Sequence, residues 1–281
     1  MNPADVDNPI VRLFAGEDIN VDDITRGEDM DSWHRKLLAA QNPAACALFF
    51  DMMIKNFIKI ILRFGNESGL YGKCTSYYAT VEAQGKGTLH CHMLIWLYGH
   101  PSPQELRNRI LSSPAYATAV TKWMESSIRN EFLQLDKDVL KSCKGPKLRE
   151  KHTLVGNPHP GSIATPKIIT YKGENGMLQF WRDYVGQVNL LLHTYNWHNH
   201  SFTCWKYLHR NGKKSDADCR MRINGDINEQ TIIDPGSGVI NLRHLHPWIA
   251  PYTDLVLYLL KCNMDIKFVG SGEAAKASCF M

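Results

Sequence analysis

Residues 80–96 read TVEAQGKGTLHCHMLIW, and this stretch decides the fold. Thr, Tyr and Val dominate the run before the glycine turn at 85–87, and Leu, Ile and Trp dominate the run after it, so the pattern predicts a β-hairpin. Side chains alternate between the two faces of a strand, so His90 and His92 share one face. With the middle of the turn at the tip, Glu82 lies opposite His90, with Cβ atoms about 4.5–5.5 Å apart.

Two imidazoles and a carboxylate on one face predict a divalent-metal site formed by Glu82, His90 and His92. Such ligands, with positions left open for substrate, suit Mn²⁺ or Mg²⁺ at a phosphate, and they also accept Zn²⁺. Gln84 lies on the same face and is the second choice for the third ligand. The alternative is a chance pair of ordinary strand histidines.

The composition describes a folded protein of one or two domains. The chain has 281 residues, of which 44% are hydrophobic and 21% charged, and this balance excludes a disordered or low-complexity protein. No stretch is long and apolar enough for a membrane span, and the N-terminus lacks the pattern of a secretory signal. Eight scattered cysteines favour reduced thiols, some of them on a metal, over a disulfide framework.

Charge is distributed unevenly along the chain. The first fifty residues contain nine acidic and four basic side chains, a net charge of −5, so the remainder carries +9 within a total of +4. A basic bias of this kind is compatible with nucleic acid binding, and equally with an ordinary solvated surface.

Hydrophobic periodicity predicts several helices around the hairpin. The first begins near Trp33, capped by Asp31 or Ser32, and a long amphipathic helix covers 43–63. Further helices are expected from about 101, over 116–135 and over 179–192, and a strand is expected over 266–269, followed by a turn at 270–272. The sequence therefore predicts an α+β fold, in which a central antiparallel sheet carries the hairpin, helices flank it, and a loop-rich His/Cys insertion follows.

That insertion contains the pattern His-x-His-x₃-Cys-x₁₄-Cys, formed by His198, His200, Cys204 and Cys219. Four such side chains can close a tetrahedral structural zinc site. The alternative is an exposed loop with two ordinary buried cysteines.

Cations and aromatic rings alternate around the same insertion, which predicts a surface for single-stranded DNA. Trp205 and Tyr207 supply rings for stacking. The candidate cations are Lys206, Arg210, Lys213, Lys214 and Arg220. A solvated basic loop with aromatic core residues would give the same pattern.

Four segments together resemble one family, the replication initiators (Rep) of Helitron transposons, in their helicase-like N-terminal domain and closest to the fungal branch. Residues 81–97 resemble its HUH motif, in which two histidines flank a hydrophobic residue. The other matching segments are NPAD at 2–5, the helix over 49–62, and CNMDIKFVGSGEAAKA at 262–277. The resemblance covers nearly the whole chain.

This resemblance implies a metal-dependent nuclease that nicks single-stranded DNA and transfers strands during rolling-circle transposition in the nucleus. In the family a tyrosine attacks the scissile phosphate and stays linked to the 5′ end, while two histidines and a polar third ligand hold a cation on that phosphate. A metal that neutralises the phosphate lowers the barrier for so weak a nucleophile. A helicase domain normally follows in the same polypeptide.

The chain departs from the family in its tyrosines. The family's Tyr-x-x-x-Tyr helix follows the GSGE segment, but no tyrosine follows Tyr258 in this sequence, so we expect the nucleophile beyond Met281. Tyr258 itself is expected to pack in the core beside Leu255, Leu259 and Leu260, and Tyr252 is the next candidate. Most of the family's first strand is missing and no Walker A motif is present.

The sequence thus predicts one HUH domain over 1–281, truncated at both ends, with a possible zinc-stabilised insertion at 193–222, and inactive for lack of its tyrosine helix. Two other functions remain open. One is a non-enzymatic, zinc-stabilised DNA-binding remnant of a transposon. The other is an unrelated His-x-His metal hydrolase.

Overall fold

The computed structural model describes residues 1–3, 6–19, 30–83, 88–133, 159–163, 165, 168–173, 176–209 and 212–270. These residues form two compact units. Unit 1 contains the described parts of 1–98, 150–195 and 254–264, and unit 2 those of 99–149, 196–253 and 265–281. The single domain expected from the sequence stays a prediction.

Local capping signals define the first helices of unit 1, which are α1 (Pro9–Phe14), α2 (Ser32–Gln41) and α3 (Pro43–Asn56). The carboxylate of Asp31 accepts the backbone N–H groups of Trp33 and His34, both at 2.9 Å, and this confirms Asp31 as the cap of α2. Pro43 opens α3 at the position where a missing N–H costs nothing. The helix continues as a π-helical turn over Phe57–Ile61, so helical structure covers most of the predicted 43–63.

The predicted hairpin consists of β2 (Cys74–Ala83) and β3 (Leu89–Leu97). The two strands are antiparallel, and their register pairs Glu82 with His90 and Thr80 with His92, which confirms the predicted pairing. Cys91, whose side chain points to the opposite face, is 1% exposed, so that face of β3 is turned into the unit.

Two short strands extend this arrangement from the ends of the chain. Strand β1 (Asn2–Pro3) pairs antiparallel with β6 (Cys262–Asn263). Met1 joins the two strand pairs, because its ammonium group donates to the Cys91 carbonyl at 2.7 Å and its own carbonyl accepts the Cys91 N–H at 2.9 Å. Strand β1 therefore lies alongside β3, on the side away from β2.

The remaining helices of unit 1 are α6 (Gly176–Leu191) and α7 (Asp254–Leu260), with a π-helical turn at Leu192–Asn196. Fully buried core side chains of this unit come from α3, α6 and α7, and they include Phe49, Val188, Leu191, Val256 and Leu257.

Unit 2 contains α4 (Pro103–Ser112), α5 (Pro114–Ser127) and a short pair of strands, β4 (Ile232–Ile233) and β5 (Ile240–Asn241). Apart from these strands, its described residues between 197 and 253 form only isolated bridges and the 3₁₀ turns Phe202–Trp205 and Asp216–Asp218. The unit is thus rich in loops, as predicted for its His/Cys part.

The mixed α+β class is confirmed, but two details of the prediction were wrong. Described strands form three two-stranded antiparallel sheets, as the predicted class requires. The helix predicted over 116–135 ends at Ser127, because Arg129 instead exchanges backbone hydrogen bonds of 2.8 and 2.9 Å with Tyr252. The strand expected at 266–269 is absent from the described residues 264–270, where Phe268 packs against His100 and Trp123.

Two further expectations can be compared with the structure. All six cysteines in the described ranges carry free, buried thiols, as expected for a reduced protein. Within the same ranges, no helix has the length and apolar character needed to cross a bilayer. The turn expected at 270–272 and the helix after it extend beyond the described residues.

Candidate functional site

The first candidate site lies on the open face of the hairpin in unit 1. The rings of His90 and His92 lie side by side, with centroids 4.5 Å apart, and Nε2 of His92 is 3.4 Å from Oε1 of Glu82. Strand alternation and register place all three side chains on one face, as predicted. Gln84, the second choice for the third ligand, lies outside the described residues.

His90 is the most constrained of the three side chains. Its Nδ1 is buried without a hydrogen-bond partner, whereas the side chains of His92 and Glu82 are 55% and 57% exposed. Burial, the N-terminal ammonium and His92 together lower the pKa of His90 to about 4, although Glu82 acts in the opposite direction. The imidazole is therefore neutral at physiological pH, which is the form that ligates a metal.

The second candidate site lies in unit 2, and its ligand atoms lie closer together than those of the hairpin site. Among the described residues, the one group that brings ligand atoms of at least three His, Cys, Asp or Glu residues within 4.8 Å of one another is formed by His198, His200, Cys204 and Cys219. This His₂Cys₂ cluster could hold a metal ion such as zinc. The four residues are those that the sequence spacing predicted.

Distances inside the cluster match a tetrahedron. Nε2 of His198 is 3.3 Å from Nδ1 of His200, and it is 3.5 and 3.4 Å from the sulfurs of Cys204 and Cys219. With Zn–N near 2.0–2.1 Å and Zn–S near 2.3 Å, tetrahedral edges come to about 3.3 Å between two nitrogens and about 3.6 Å between nitrogen and sulfur. One ring nitrogen carries a single proton or lone pair and cannot satisfy three such neighbours by hydrogen bonding.

The surroundings of the cluster also suit a metal. Cys204 and Cys219 are 3% and 4% exposed, and the N–H of Ser201 donates to the Cys204 sulfur at 3.4 Å. Burial, with a contribution from His200, lowers the pKa of His198 and keeps its ring neutral. These features protect the thiolates and neutral imidazoles that zinc requires.

Asp216 was not identified from the sequence. Its Oδ1 lies 3.3 Å from Nε2 of His200, on the side of the ring away from the cluster, although the contact does not meet hydrogen-bond geometry. A carboxylate behind a ligating histidine is the usual outer-shell partner in zinc sites. Its position three residues before Cys219 carries no recognisable spacing signal.

The predicted DNA-binding cations surround this cluster. Lys206, Lys213, Lys214 and Arg220 are exposed, and Arg210 lies outside the described residues. The Lys214 ammonium lies 5.8 Å from the Trp205 ring centre, and that of Lys206 lies 5.4 Å from the ring of Tyr207. Cations and rings thus alternate on this surface as predicted, and DNA binding itself stays a prediction.

The two candidate tyrosines are buried away from solvent. Tyr258 is 3% exposed, and burial together with Asp183 raises its pKa, which makes it a poorer nucleophile. Its ring packs against Tyr184, with centroids 4.6 Å apart, so the predicted core packing is confirmed, although Leu255 and Leu259 are themselves 36% and 42% exposed. The Tyr252 hydroxyl donates to the Glu131 carbonyl at 2.7 Å inside unit 2.

Comparisons with known proteins identify the part of the chain that contains the hairpin. Residues 1–95 match the family described as the Helitron helicase-like domain at the N-terminus, and this segment includes Glu82, His90 and His92. Searches of curated proteins and of solved structures gave no match. Residues 1–95 are therefore similar to the helicase-like N-terminal domain of Helitron transposons.

Proposed function

We propose that the hairpin binds Mn²⁺ or Mg²⁺ through Glu82, His90 and His92, and that this cation binds a phosphodiester of single-stranded DNA. The observation that carries the proposal is the register, which aligns the carboxylate with the two imidazoles on an open face. Without a metal, the Glu82 carboxylate makes this face repel phosphate, since burial lowers the pKa of His90 and keeps that ring neutral. A divalent cation reverses the sign and makes DNA binding metal-dependent.

In this proposal the domain belongs to the DNA-nicking and strand-transfer machinery of a rolling-circle transposon that acts in the nucleus. Within these 281 residues the covalent step is absent, because no tyrosine follows Tyr258 and Tyr258 is buried. When bound, the metal would neutralise the phosphate, and the two histidines and Glu82 would fix its position. Only water would remain as an attacking group.

Titration of Mn²⁺ into zinc-loaded protein tests the metal site without interference from the His₂Cys₂ cluster. Wild type should bind one equivalent, and His92→Ala or Glu82→Gln should weaken binding at least 10-fold, the loss seen even for outer-shell partners of metal sites. Both side chains are more than half exposed, so the variants should fold. Glu105→Gln is the matched control, because this carboxylate is 49% exposed and pairs with a helix neighbour, Arg109.

Denaturing gels with labelled single-stranded oligonucleotides test the covalent step. We expect no protein–DNA adduct in Mn²⁺. An adduct that disappears in Tyr258→Phe would identify Tyr258 as the nucleophile and contradict the proposal, and an adduct that persists would direct attention to Tyr252.

The His₂Cys₂ geometry favours a second function, a zinc-stabilised DNA-binding unit without catalysis. Zinc would hold the loop that presents Lys206, Lys213, Lys214 and Arg220. In that case DNA binding should survive His92→Ala but be lost on zinc removal, and it should weaken steeply with salt because counterions are released.

A further inference from the structure

The open face of the hairpin extends well beyond the three candidate ligands. Register places Tyr78 opposite Leu94 and Ser76 opposite Trp96, and all four side chains share the face of Glu82 and His92 by strand alternation. Tyr78 is 60% exposed and Trp96 is 50% exposed. Large rings are thus held at the surface of the strand pair, on the face opposite the one that carries the buried Cys91.

The two rings lie in line with the metal-binding end of the hairpin. Trp96 is the diagonal neighbour of Tyr78 across the strand pair, a separation of about 7–8 Å between backbone positions. Four residues separate Trp96 from His92, which corresponds to about 13 Å along the strand. At the roughly 3.4 Å spacing of stacked nucleotides, that distance spans about four bases.

A cation lies at the far end of the same hairpin. The Lys73 ammonium is 5.6 Å from the centre of the Tyr98 ring, which is 76% exposed, and the Tyr98 N–H donates to the Lys73 carbonyl at 2.7 Å. With a metal at Glu82, positive charge is present at both ends and exposed rings lie between them. A single nucleic acid strand has this pattern of phosphates and unpaired bases, whereas the bases of a duplex are stacked inside.

We propose that Tyr78 and Trp96 stack on bases of a single DNA strand and thereby position its phosphate at the metal. The inference rests on the proposed function of Glu82, His90 and His92, since those residues set where the phosphate lies. Tyr78 and Trp96 are positioning residues in this proposal, and Lys73 contacts a phosphate farther along the strand.

Fluorescence anisotropy with a short labelled oligonucleotide tests the stacking, using zinc-loaded protein in Mn²⁺. Trp96→Ala and Tyr78→Ala should each weaken binding roughly 5- to 150-fold, the range that a stacked base contributes. Trp96→Phe keeps a ring and should retain most of the affinity. Trp33→Ala is the matched control, because Trp33 is 69% exposed on α2.

Abasic oligonucleotides separate stacking from a general surface effect. Once the bases are removed, wild type and Trp96→Ala should bind equally, because the ring has lost its partner. Equal affinity of wild type and both alanine variants for the normal oligonucleotide would overturn the inference. A loss of affinity in Trp96→Ala that persists on abasic DNA would also overturn the inference. The same holds if Trp96→Ala changes the self-association of the chain in sedimentation and leaves DNA affinity unchanged.

Metal titration without DNA distinguishes this inference from the proposed function. Trp96→Ala and Tyr78→Ala should bind Mn²⁺ like wild type. If the protein binds Mn²⁺ but the two alanine variants bind DNA as tightly as wild type, only the stacking is refuted. If wild type binds no Mn²⁺ and the two alanine variants still bind DNA more weakly than wild type, only the metal site is refuted.

Discussion

Replacement of Cys219 by alanine tests the His₂Cys₂ cluster directly. The variant removes one of the four ligand atoms that lie within 4.8 Å of one another, in a stretch of unit 2 with little regular structure of its own. Two effects add. Loss of a buried thiol costs about 1 kcal/mol, the value for one buried methylene-sized group. Loss of a ligand weakens zinc binding by more than the 10- to 100-fold expected for an outer-shell partner, a further cost of at least about 1.4–2.7 kcal/mol.

A second buried cysteine provides the control for this variant. Cys46 on α3 is 5% exposed, close to the 4% of Cys219, its thiol donates to the Ala39 carbonyl at 3.7 Å, and it is not one of the four residues of the cluster. Cys46→Ala should therefore cost only the first effect, about 1 kcal/mol. A difference of 2 kcal/mol or so between the variants would be the contribution of zinc.

The assay combines metal analysis with unfolding. Elemental analysis should find one zinc per wild-type chain and per Cys46→Ala chain, and none in Cys219→Ala. Fluorescence reports locally, because the rings of Trp205 and Trp248 lie 5.4 and 5.5 Å from His200, and hydrogen exchange should rise in 197–253. Zinc-free wild-type protein, or equal destabilisation by the two variants, would refute the reasoning.

Three further predictions concern single side chains. Asp216→Asn should weaken zinc binding about 10- to 100-fold in a chelator competition, because the Asp216 carboxylate lies behind His200 and not in the cluster. Asp226→Asn is the control and should bind zinc like wild type. Lys261→Met should raise the free energy of unfolding by up to about 3 kcal/mol at pH 7, since burial lowers the pKa of Lys261 to about 8. Between pH 8 and about 10.5 the Lys261 ammonium keeps its proton only in the unfolded wild type, so the free energy of unfolding of the wild type rises with pH there. In urea titrations above this window, the stability advantage of Lys261→Met should therefore disappear. A pH-independent difference, or the same result for the exposed Lys55→Met, would contradict this prediction. Asp31→Ala should reduce helicity by circular dichroism by removing the cap of α2, whereas Asp31→Asn should preserve it, and equal spectra for both would exclude the capping role.

The hairpin and the zinc-type cluster could be predicted because both depend on short-range rules. Strand alternation and a central turn residue sufficed to pair Glu82 with His90. The cluster spans only 198–219, so two local turns bring its ligands together.

Long-range strand and backbone pairings could not be predicted from the sequence, because they leave no periodic pattern of residues. Strand β1 has two residues and pairs with a segment near the other end of the described chain, and no pattern of two residues can predict that. The helix predicted to continue past Ser127 ends there, because the backbone of Arg129 forms hydrogen bonds with that of Tyr252 and does not continue the helix. Apolar residues at 266–269 suggested a strand, but Phe268 is accounted for by ring packing on His100 and Trp123.

The pairing of β1 with β6 has a consequence for synthesis on the ribosome. Asn263 is made 261 residues after Asn2, yet the two are paired in the finished protein. At roughly 5–20 residues per second, about 10 to 30 s pass between the synthesis of Cys91 and that of Asn263. During this interval β1 cannot pair with β6, and its outer edge is open to other chains. Unit 1 is therefore expected to complete its fold only after residue 263 has been made, and nascent-chain stalling before residue 262 should leave β1 sensitive to protease.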